Sequence, residues 1–132
     1  MMKSGKALAL CLLLALVLAC SSEKKQDFAA ANAAKDYYDC LIVGRFAEFV
    51  NGMNFPNAIP AGYRSQLEDN ARMFVHEQER SHQGLSAVRV VNCVNDSAHT
   101  AANALLMLCY ADSTVEQVVV PMVKRDGRWY MK

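Results

Sequence analysis

The spacing of apolar residues changes near Gly84, from the three- and four-residue steps of helices to the valine-rich runs of strands. Before Gly84 this spacing predicts a helix over residues 27–44, whose alanines favour helix formation. A second, short helix is predicted within residues 45–53, and a third from residue 61 or 63 to residue 81. The Asn-, Pro- and Gly-rich stretch between the last two predicts a loop.

Four strands are predicted after Gly84. Residues 85–94 and 114–124 are rich in valine and have the composition of strands. Residues 100–111 would suit a helix on propensity alone, but turn residues at both ends and strand-like neighbours favour a strand. Residues 27–132 are therefore predicted to form one α+β domain, with three N-terminal helices packed on a four-stranded antiparallel sheet.

Asp126-Gly127 is a strong signal for a two-residue hairpin, so residues 128–132 are predicted to be the last strand. This turn sets the pairing of the strands on either side of it. It predicts three cross-strand pairs, Trp129 with Lys124, Tyr130 with Val123, and Met131 with Met122.

Residues 1–19 have the composition of a secretory signal, since Lys3 and Lys6 precede an apolar run. That run holds about a dozen residues, too few for the roughly 20 of a transmembrane helix. It ends in Val17-Leu18-Ala19-Cys20, which resembles the lipobox of bacterial lipoproteins. The resemblance implies cleavage before Cys20, acylation of Cys20 with chains such as palmitate, and a polar tether over residues 20–26. An ordinary signal peptide with a chance cysteine is the alternative.

The lipobox implies a bacterial envelope protein that is held to a membrane by its N-terminus. Several acyl chains anchor stably without a polybasic segment. Ser21 and Ser22 are compatible with sorting to the outer membrane, with the domain in the periplasm or at the cell surface. Residues 20–132 contain 12 basic and 13 acidic residues, a net charge of about −1. Such a balance provides no basic field for nucleic acid.

Three of the five cysteines, Cys40, Cys93 and Cys109, lie outside the predicted signal and lipidation site. None has the spacing of a zinc site, and no cofactor or metal is predicted. If residues 95–98 form the turn, Cys93 lies opposite residue 100 or 101, about 26 Å from Cys109 at strand rise. A disulfide needs Cα atoms within about 7 Å, which excludes that pair. The three are predicted to be free, or Cys40 pairs with one of the others.

Two segments resemble the nuclear transport factor 2-like superfamily, over about residues 27–132. One is the opening helix, residues 33–41, followed by Gly44-Arg45-Phe46-Ala47-Glu48-Phe49. The other is the closing hairpin, Lys124-Arg125-Asp126-Gly127-Arg128-Trp129-Tyr130. The chain is similar in particular to small bacterial lipoproteins with one such domain, but its long third helix and Asn/Pro loop depart from the pattern. The resemblance implies a curved sheet wrapped around the first helix as a cone, whose open end is a ligand pocket in many members.

Tyr37, Tyr38, Asp36 and Asp39 on the first helix are the candidates for acid–base catalysis. If one tyrosine faces the sheet with its hydroxyl at the mouth of the cone, it could donate to a substrate oxygen while a carboxylate acts as base. Asp36 and Asp39 are three residues apart and could share one face of the helix. The alternative is that the tyrosine packs in the core and that both carboxylates are solvated.

The histidines and the last strand have structural interpretations. His76 and His82 belong to a solvated, charge-balanced helix end, and no third ligand accompanies them to make a metal site. His99 is expected to be exposed in a turn. Trp129 and Tyr130 could stack on a ligand, but they are expected to stabilise the sheet as cross-strand partners.

The leading hypothesis is a lipid-anchored module that binds a small apolar ligand or a partner protein without catalysis. The first alternative is a lyase, isomerase or hydrolase that uses the four candidate side chains of the first helix. Such divergent roles occur on one fold, so the resemblance does not choose between them. A third hypothesis is a homodimer, because Val115, Val119 and Val123 alternate onto one sheet face and would form an apolar patch.

Overall fold

The computed structural model describes residues 27–132, so the predicted signal, Cys20 and the tether lie outside the described residues. Three helices come first, α1 (Ala29–Ile42), α2 (Phe46–Asn51) and α3 (Ala61–His82). Four strands follow, β1 (Leu85–Asn95), β2 (Ala101–Tyr110), β3 (Val115–Arg125) and β4 (Arg128–Met131). They form one antiparallel sheet in the order β1-β2-β3-β4, which confirms the predicted α+β fold. Within residues 27–132, no helix combines the length and the apolar character needed to cross a membrane.

The first helix is shorter than predicted by two residues at each end. Its last turn closes with Gly44, at φ +76°, where the backbone amide donates to the Leu41 carbonyl over 3.4 Å. The Arg45 amide donates to the Cys40 carbonyl at 2.8 Å, which directs the chain into α2. A left-handed glycine of this kind is a common helix stop, so the chain turns at Gly44 and does not include it in the helix.

α1 packs across one face of the sheet, called here the inner face. Ala30, Ala31 and Ala34 are fully buried against it. Small side chains let the helix backbone approach the strands closely, and the larger apolar groups come from the sheet and from the helix end. The fully buried side chains with the largest volumes are Leu41, Leu106, Leu108, Met122, Val50 and Cys93.

The opposite face of the sheet, called here the outer face, carries the residues that alternate with the buried ones. No helix of the described part of the chain covers it. Val115 and Val119 are 58% and 57% exposed, which confirms that these valines alternate onto one face. Other apolar residues that the register places on this face are Val94, Leu105, Met107, Cys109, Pro121 and Val123.

The register of the last hairpin is as predicted, with Trp129 opposite Lys124, Tyr130 opposite Val123 and Met131 opposite Met122. The register predicted for Cys93 is wrong, because Cys93 pairs with Ala104. β1 continues to Asn95, so the connecting loop begins one residue later and is longer than the predicted turn.

None of the three cysteines of the described residues forms a disulfide, and they lie in different places. Cys93 is buried on the inner face, Cys109 lies on the outer face and Cys40 lies on α1. The predicted absence of a Cys93–Cys109 disulfide is confirmed. A disulfide from Cys40 to either of the others is not formed.

The loop after α2 covers the outer edge of β4. Met53 forms a parallel bridge with Met131. The Met131 amide donates to the Gly52 carbonyl at 2.7 Å, and the Asn54 amide donates to the Met131 carbonyl at 2.8 Å. These bonds hold the Asn/Pro loop against the sheet and place its side chains beside the start of α3.

Candidate functional site

A cleft opens where α3 and the loop after α2 meet the edge of β3. It consists of two adjoining cavities of about 350 and 290 Å³. The two share Tyr38, Phe49, Met53 and Leu67 in their walls. One extends to the edge of β3 at residues 119–121, and the other runs between α1 and α3 to Phe74. This space is called the helix–sheet cleft below.

Five aromatic side chains line the helix–sheet cleft among a larger number of aliphatic ones. The rings of Tyr38 and Phe49 meet edge to face, with centroids 5.7 Å apart. Phe55 and Tyr63 make a similar contact at 6.3 Å. Edge-to-face pairs favour a fixed ring geometry beyond simple burial. The Asn/Pro loop and the first turn of α3 thus supply a wall whose shape is set by ring packing.

Two polar atoms in this apolar setting have no hydrogen-bond partner among the described residues. The side-chain oxygen Oδ1 of Asn54 is buried and unpaired, although the Asn54 amide is held by Met131. Burial raises the pKa of the Tyr38 hydroxyl, which keeps it protonated. A buried acceptor without a partner costs about 1–3 kcal/mol. Oδ1 has almost no surface open to the cleft, so a donor on a bound molecule would recover this free energy once the Asn54 side chain turns toward it.

The chemistry of the helix–sheet cleft suits binding better than proton transfer. No Asp or Glu of residues 27–132 lines it. General acid–base catalysis needs a titratable group whose pKa lies near the working pH, and a neutral tyrosine with a raised pKa is a poor base. What the cleft offers is apolar surface with an acceptor at Asn54 and a hydroxyl at Tyr38.

The structure does not bring the four side chains predicted as an acid–base group into one site, although Asp36 and Tyr37 share a hollow beside Arg128. Of these only Tyr38 lines the helix–sheet cleft. The Tyr37 hydroxyl donates to the Trp129 carbonyl at 2.6 Å and so fastens α1 to β4. Asp39 pairs with Lys35 on the same helix, with Nζ and Oδ2 2.6 Å apart. Asp36 is exposed, in a polar hollow beside Arg128.

Comparison with known proteins rests on the fold, because the sequence matches no protein-family model and no curated protein sequence. A solved structure from Campylobacter jejuni, described as an NTF2-like transpeptidase, is similar with a TM-score of 0.62. Its sequence is 12% identical, and the match covers 76% of this chain and 94% of that chain. The fold is nuclear transport factor 2-like. The resemblance stated from the two sequence segments is thereby confirmed at the level of the fold.

A second structure similar to this nuclear transport factor 2-like domain is a SEC-C motif containing protein from Rhodopseudomonas palustris. Its TM-score is 0.53 at 11% identity, over 83% of this chain and 80% of that chain. In this domain the helix–sheet cleft lies between the helices and the sheet edge. The two departures from the family pattern, the Asn/Pro loop and the long α3, both contribute walls to it.

The interpretation of His82 as part of a solvated helix end is wrong. Its Nδ1 lies 3.1 Å from Asp112 Oδ2 and 3.1 Å from Thr114 Oγ1, and Thr114 Oγ1 also donates to Asp112. The imidazole stacks on the ring of Tyr110 at 4.4 Å. These residues, called the His82 cluster, join the end of α3 to the β2–β3 turn.

Hydrogen bonds and charge shift the pKa values in the His82 cluster. The Thr114 hydroxyl lowers the pKa of Asp112 most, with help from His82. Burial, followed by Glu116, raises the pKa of Tyr110 to about 12, and the Tyr110 hydroxyl donates to Glu116 at 2.8 Å. Asp112 lies 30 residues from His82, so no local motif announces the pair. Only the approach of α3 to the hairpin end brings them together.

The remaining sequence candidates have the positions expected for structural residues. His76 is exposed and lies 3.2 Å from Glu79, and His99 is exposed in the β1–β2 turn. Trp129 is 7% exposed in the core, whereas Tyr130 lies on the outer face. In residues 27–132, no three side chains of His, Cys, Asp or Glu come together as a metal site requires.

Proposed function

We propose that this domain binds a small, mainly apolar molecule in the helix–sheet cleft without acting on it, while its N-terminus is anchored to a membrane. The observation that carries the proposal is the buried, unpaired Oδ1 of Asn54 within walls of aromatic and aliphatic side chains. Small-ligand sites are mostly apolar with a few placed polar groups, and pockets begin at about 300 Å³. The cavities of the cleft are in that range.

The polar atoms restrict the kind of molecule that fits. Asn54 Oδ1 accepts, so it favours a ligand with an N–H or O–H group. The Tyr38 hydroxyl can donate to a second polar atom or accept from it. The remaining walls are mainly apolar and contribute about 25 cal/mol per Å² buried, with Asn70 and Lys132 as the other polar side chains among them. We therefore expect an apolar body with one polar end.

The binding test uses N-phenyl-1-naphthylamine, a fluorescent apolar probe with one N–H donor. Leu67→Trp fills the wall that the two cavities share, and Met73→Trp adds the same ring at an exposed position of the same helix. We expect the wild-type protein and Met73→Trp to bind the probe equally. Leu67→Trp should bind it at least about tenfold more weakly, since the site would be occupied. Equal binding by all three proteins would place the probe elsewhere and refute the proposal.

The contribution of Asn54 is tested by Asn54→Leu, which keeps the volume and removes the acceptor. Loss of one hydrogen bond should weaken the naphthylamine about tenfold. The affinity of a probe without a donor, such as pyrene, should not fall. A similar loss for both probes would mean that Asn54 acts through the shape of the wall and not through its oxygen.

The anchor is tested separately through Cys20. Cys20→Ser should abolish acylation and release the chain from membranes into the soluble fraction. Mass spectrometry of the N-terminal peptide and membrane fractionation give the two readouts. A Cys20→Ser protein that still fractionates with membranes would contradict the anchor and leave the binding proposal intact.

An enzymatic role has less support. Cys40 is the one cysteine of the described residues beside a polar hollow, and burial followed by Glu48 raises its pKa. A nucleophilic thiol needs a lowered pKa and a cationic neighbour. Arg45 lowers the pKa of Cys40, but burial and Glu48 outweigh it, and the transpeptidase description belongs to the Campylobacter jejuni protein.

A homodimer through the outer face is the second candidate, favoured by the exposure of Val115 and Val119. It predicts a mass of two chains in light scattering of the detergent-purified protein after correction for the micelle. A mass of one chain at the highest attainable concentration would exclude it.

A further inference from the structure

The charges that the strands place on the outer face all have one sign. By strand register Arg89, Arg125 and Arg128 lie on this face, and Lys132 follows at the end of β4. No Asp or Glu of the four strands shares it. The strands contain a single acidic residue, Glu116, which alternates to the inner side and accepts from Tyr110.

Apolar residues occupy the middle of the same face. Val94, Val115 and Val119 are each more than half exposed. Leu105 lies opposite Val119, and Cys109 lies opposite Val115, so the apolar side chains of β2 and β3 are adjacent. Large exposed apolar patches mark interaction surfaces on proteins. The charged strand residues around this patch are all cations, and the nearest acidic residues are Asp96 and Asp126 in the turns at one end of the sheet.

Tyr130 lies on the outer face between two guanidinium groups. Arg125 Cζ is 4.6 Å from the centre of its ring, and Arg128 Cζ is 5.5 Å from it. Cation–π contacts of this kind hold both arginines beside the ring. Tyrosine and arginine together at the edge of an apolar patch suit the boundary between lipid headgroups and acyl chains.

The chain enters the domain at the end of the sheet where the β3–β4 hairpin also lies. The Asp27 carbonyl accepts from Asn95 Nδ2 at 2.8 Å, beside the β1–β2 turn. That turn is bonded to β3 through the Lys124 amide, which donates to the Thr100 carbonyl at 2.8 Å. Six residues separate Cys20 from Asp27, so the seven Cα–Cα steps span at most about 25 Å when extended.

We infer that the outer face of the sheet lies on the surface of a membrane that contains anionic phospholipid. The inference rests on the proposed anchor at Cys20, whose short tether would hold this end of the sheet close to the bilayer. Basic residues near an anionic leaflet are attracted to it, and an attached lipid raises the local concentration of the face at the surface. A second copy is a poorer occupant, because facing sheets would bring together the cations of two strand faces that contain no acidic residue.

The test uses the full chain, purified in detergent from the membranes that hold it and added to preformed vesicles. The vesicles contain phosphatidylcholine alone, or phosphatidylcholine with one third phosphatidylglycerol. Hydroxyl-radical oxidation reports the exposure of Met107 on the outer face and of Met73 on α3 as the internal control. We expect Met107 and Tyr130 to be oxidised about fivefold more slowly on anionic vesicles than on neutral ones, and Met73 equally on both.

Added salt and substitution of arginines decide whether charge causes the slower oxidation of Met107 and Tyr130, called protection here. Protection should disappear in 1 M salt, where charges are screened beyond about 3 Å. It should also disappear when the outer-face arginines are replaced, and persist when three exposed arginines away from the sheet are replaced. The two matched proteins are Arg89→Gln/Arg125→Gln/Arg128→Gln and Arg45→Gln/Arg72→Gln/Arg80→Gln, each compared with the wild type by circular dichroism.

Other outcomes would overturn the inference. Equal oxidation of Met107 on both kinds of vesicle would refute it. Protection of Met107 in detergent alone, together with a mass of two chains, would show that a second copy covers the face. If the N-terminal peptide proves unacylated, the anchor fails. The oxidation of Met107 is then measured with the unacylated chain added to the same vesicles. Slower oxidation on anionic vesicles would support the outer face as a membrane surface without the anchor, and equal oxidation would refute it.

Discussion

The inner and outer faces of the sheet come from the same four strands, yet only one of them is covered. Val120 is 6% exposed on the inner face, and its neighbour Val119 is 57% exposed on the outer face. Both are β-branched residues that favour a strand. Hydrophobicity therefore does not distinguish the faces, whereas what lies against each of them does. α1 covers the inner face with alanines, and the outer face pairs its apolar centre with cations.

The largest difference between the faces should come from truncating one apolar side chain on each. Leu106→Ala on the inner face leaves a cavity under α1 and should lower the free energy of unfolding by about 2–5 kcal/mol. Val119→Ala on the outer face should change it by less than about 0.5 kcal/mol. Urea denaturation of the wild type and both variants measures these changes in the free energy of unfolding. An equal cost would mean that the outer face is covered even without a membrane.

The packing of α2 against α1 can be disturbed at a single glycine. A Cβ at Gly52 would lie 2.5–2.7 Å from three ring atoms of Tyr37. The ring cannot move away freely, because its hydroxyl is bonded to the Trp129 carbonyl. Gly52→Ala should therefore cost about 1–3 kcal/mol through overpacking.

Gly62 provides the control for this substitution, because a Cβ there meets nothing within 4 Å. Gly62→Ala, in the first turn of α3, should be neutral or slightly stabilising. If both alanines are tolerated equally, the close approach of Gly52 to Tyr37 does not constrain the helix layer.

Adjacent tyrosines on α1 offer a smaller test of the same layer. Tyr37→Phe removes the hydroxyl that donates to Trp129 and should cost about 1 kcal/mol. Tyr38→Phe removes a hydroxyl that bonds to no other described residue, so its cost should stay below about 0.5 kcal/mol. Thermal unfolding compares the two. The reverse order would mean that Tyr38 has a structural partner, which would weaken its assignment to the helix–sheet cleft.

The fold could be predicted well from the sequence, because the spacing of apolar residues and the residue types of turns are local properties. The change of spacing at Gly84 and the Asp126-Gly127 turn were sufficient for the element order and the last register. β2 is the exception, since its alanines and leucines favour a helix. Its position between β1 and β3, where both edges are paired, overrides that propensity.

The site was less predictable, because its members meet only through tertiary packing. Tyr38 was a candidate by its place on α1, but Asn54 gave no signal within the Asn/Pro loop. Its unpaired oxygen follows from the bond that the loop makes to Met131, 77 positions along the chain. The His82 cluster was missed for the same reason. Where the chain closes a contact over such a distance, composition and spacing do not report it.

The smallest expected effect lies at the end of the sheet far from the β3–β4 hairpin, in the His82 cluster. Because the Thr114 hydroxyl lowers the pKa of Asp112, folding favours the ionised carboxylate. This contribution is present above the ordinary pKa of about 4 and is lost as the pH falls through the lower folded value. Asp112→Asn should therefore lower the melting temperature slightly at pH 5, and its difference from the wild type should narrow by pH 2.5. Thr114→Val should reproduce part of this pH dependence, because it removes the main cause of the lowered pKa. A difference that stays constant down to pH 2.5 would show that the charge of Asp112 does not hold α3 to the hairpin.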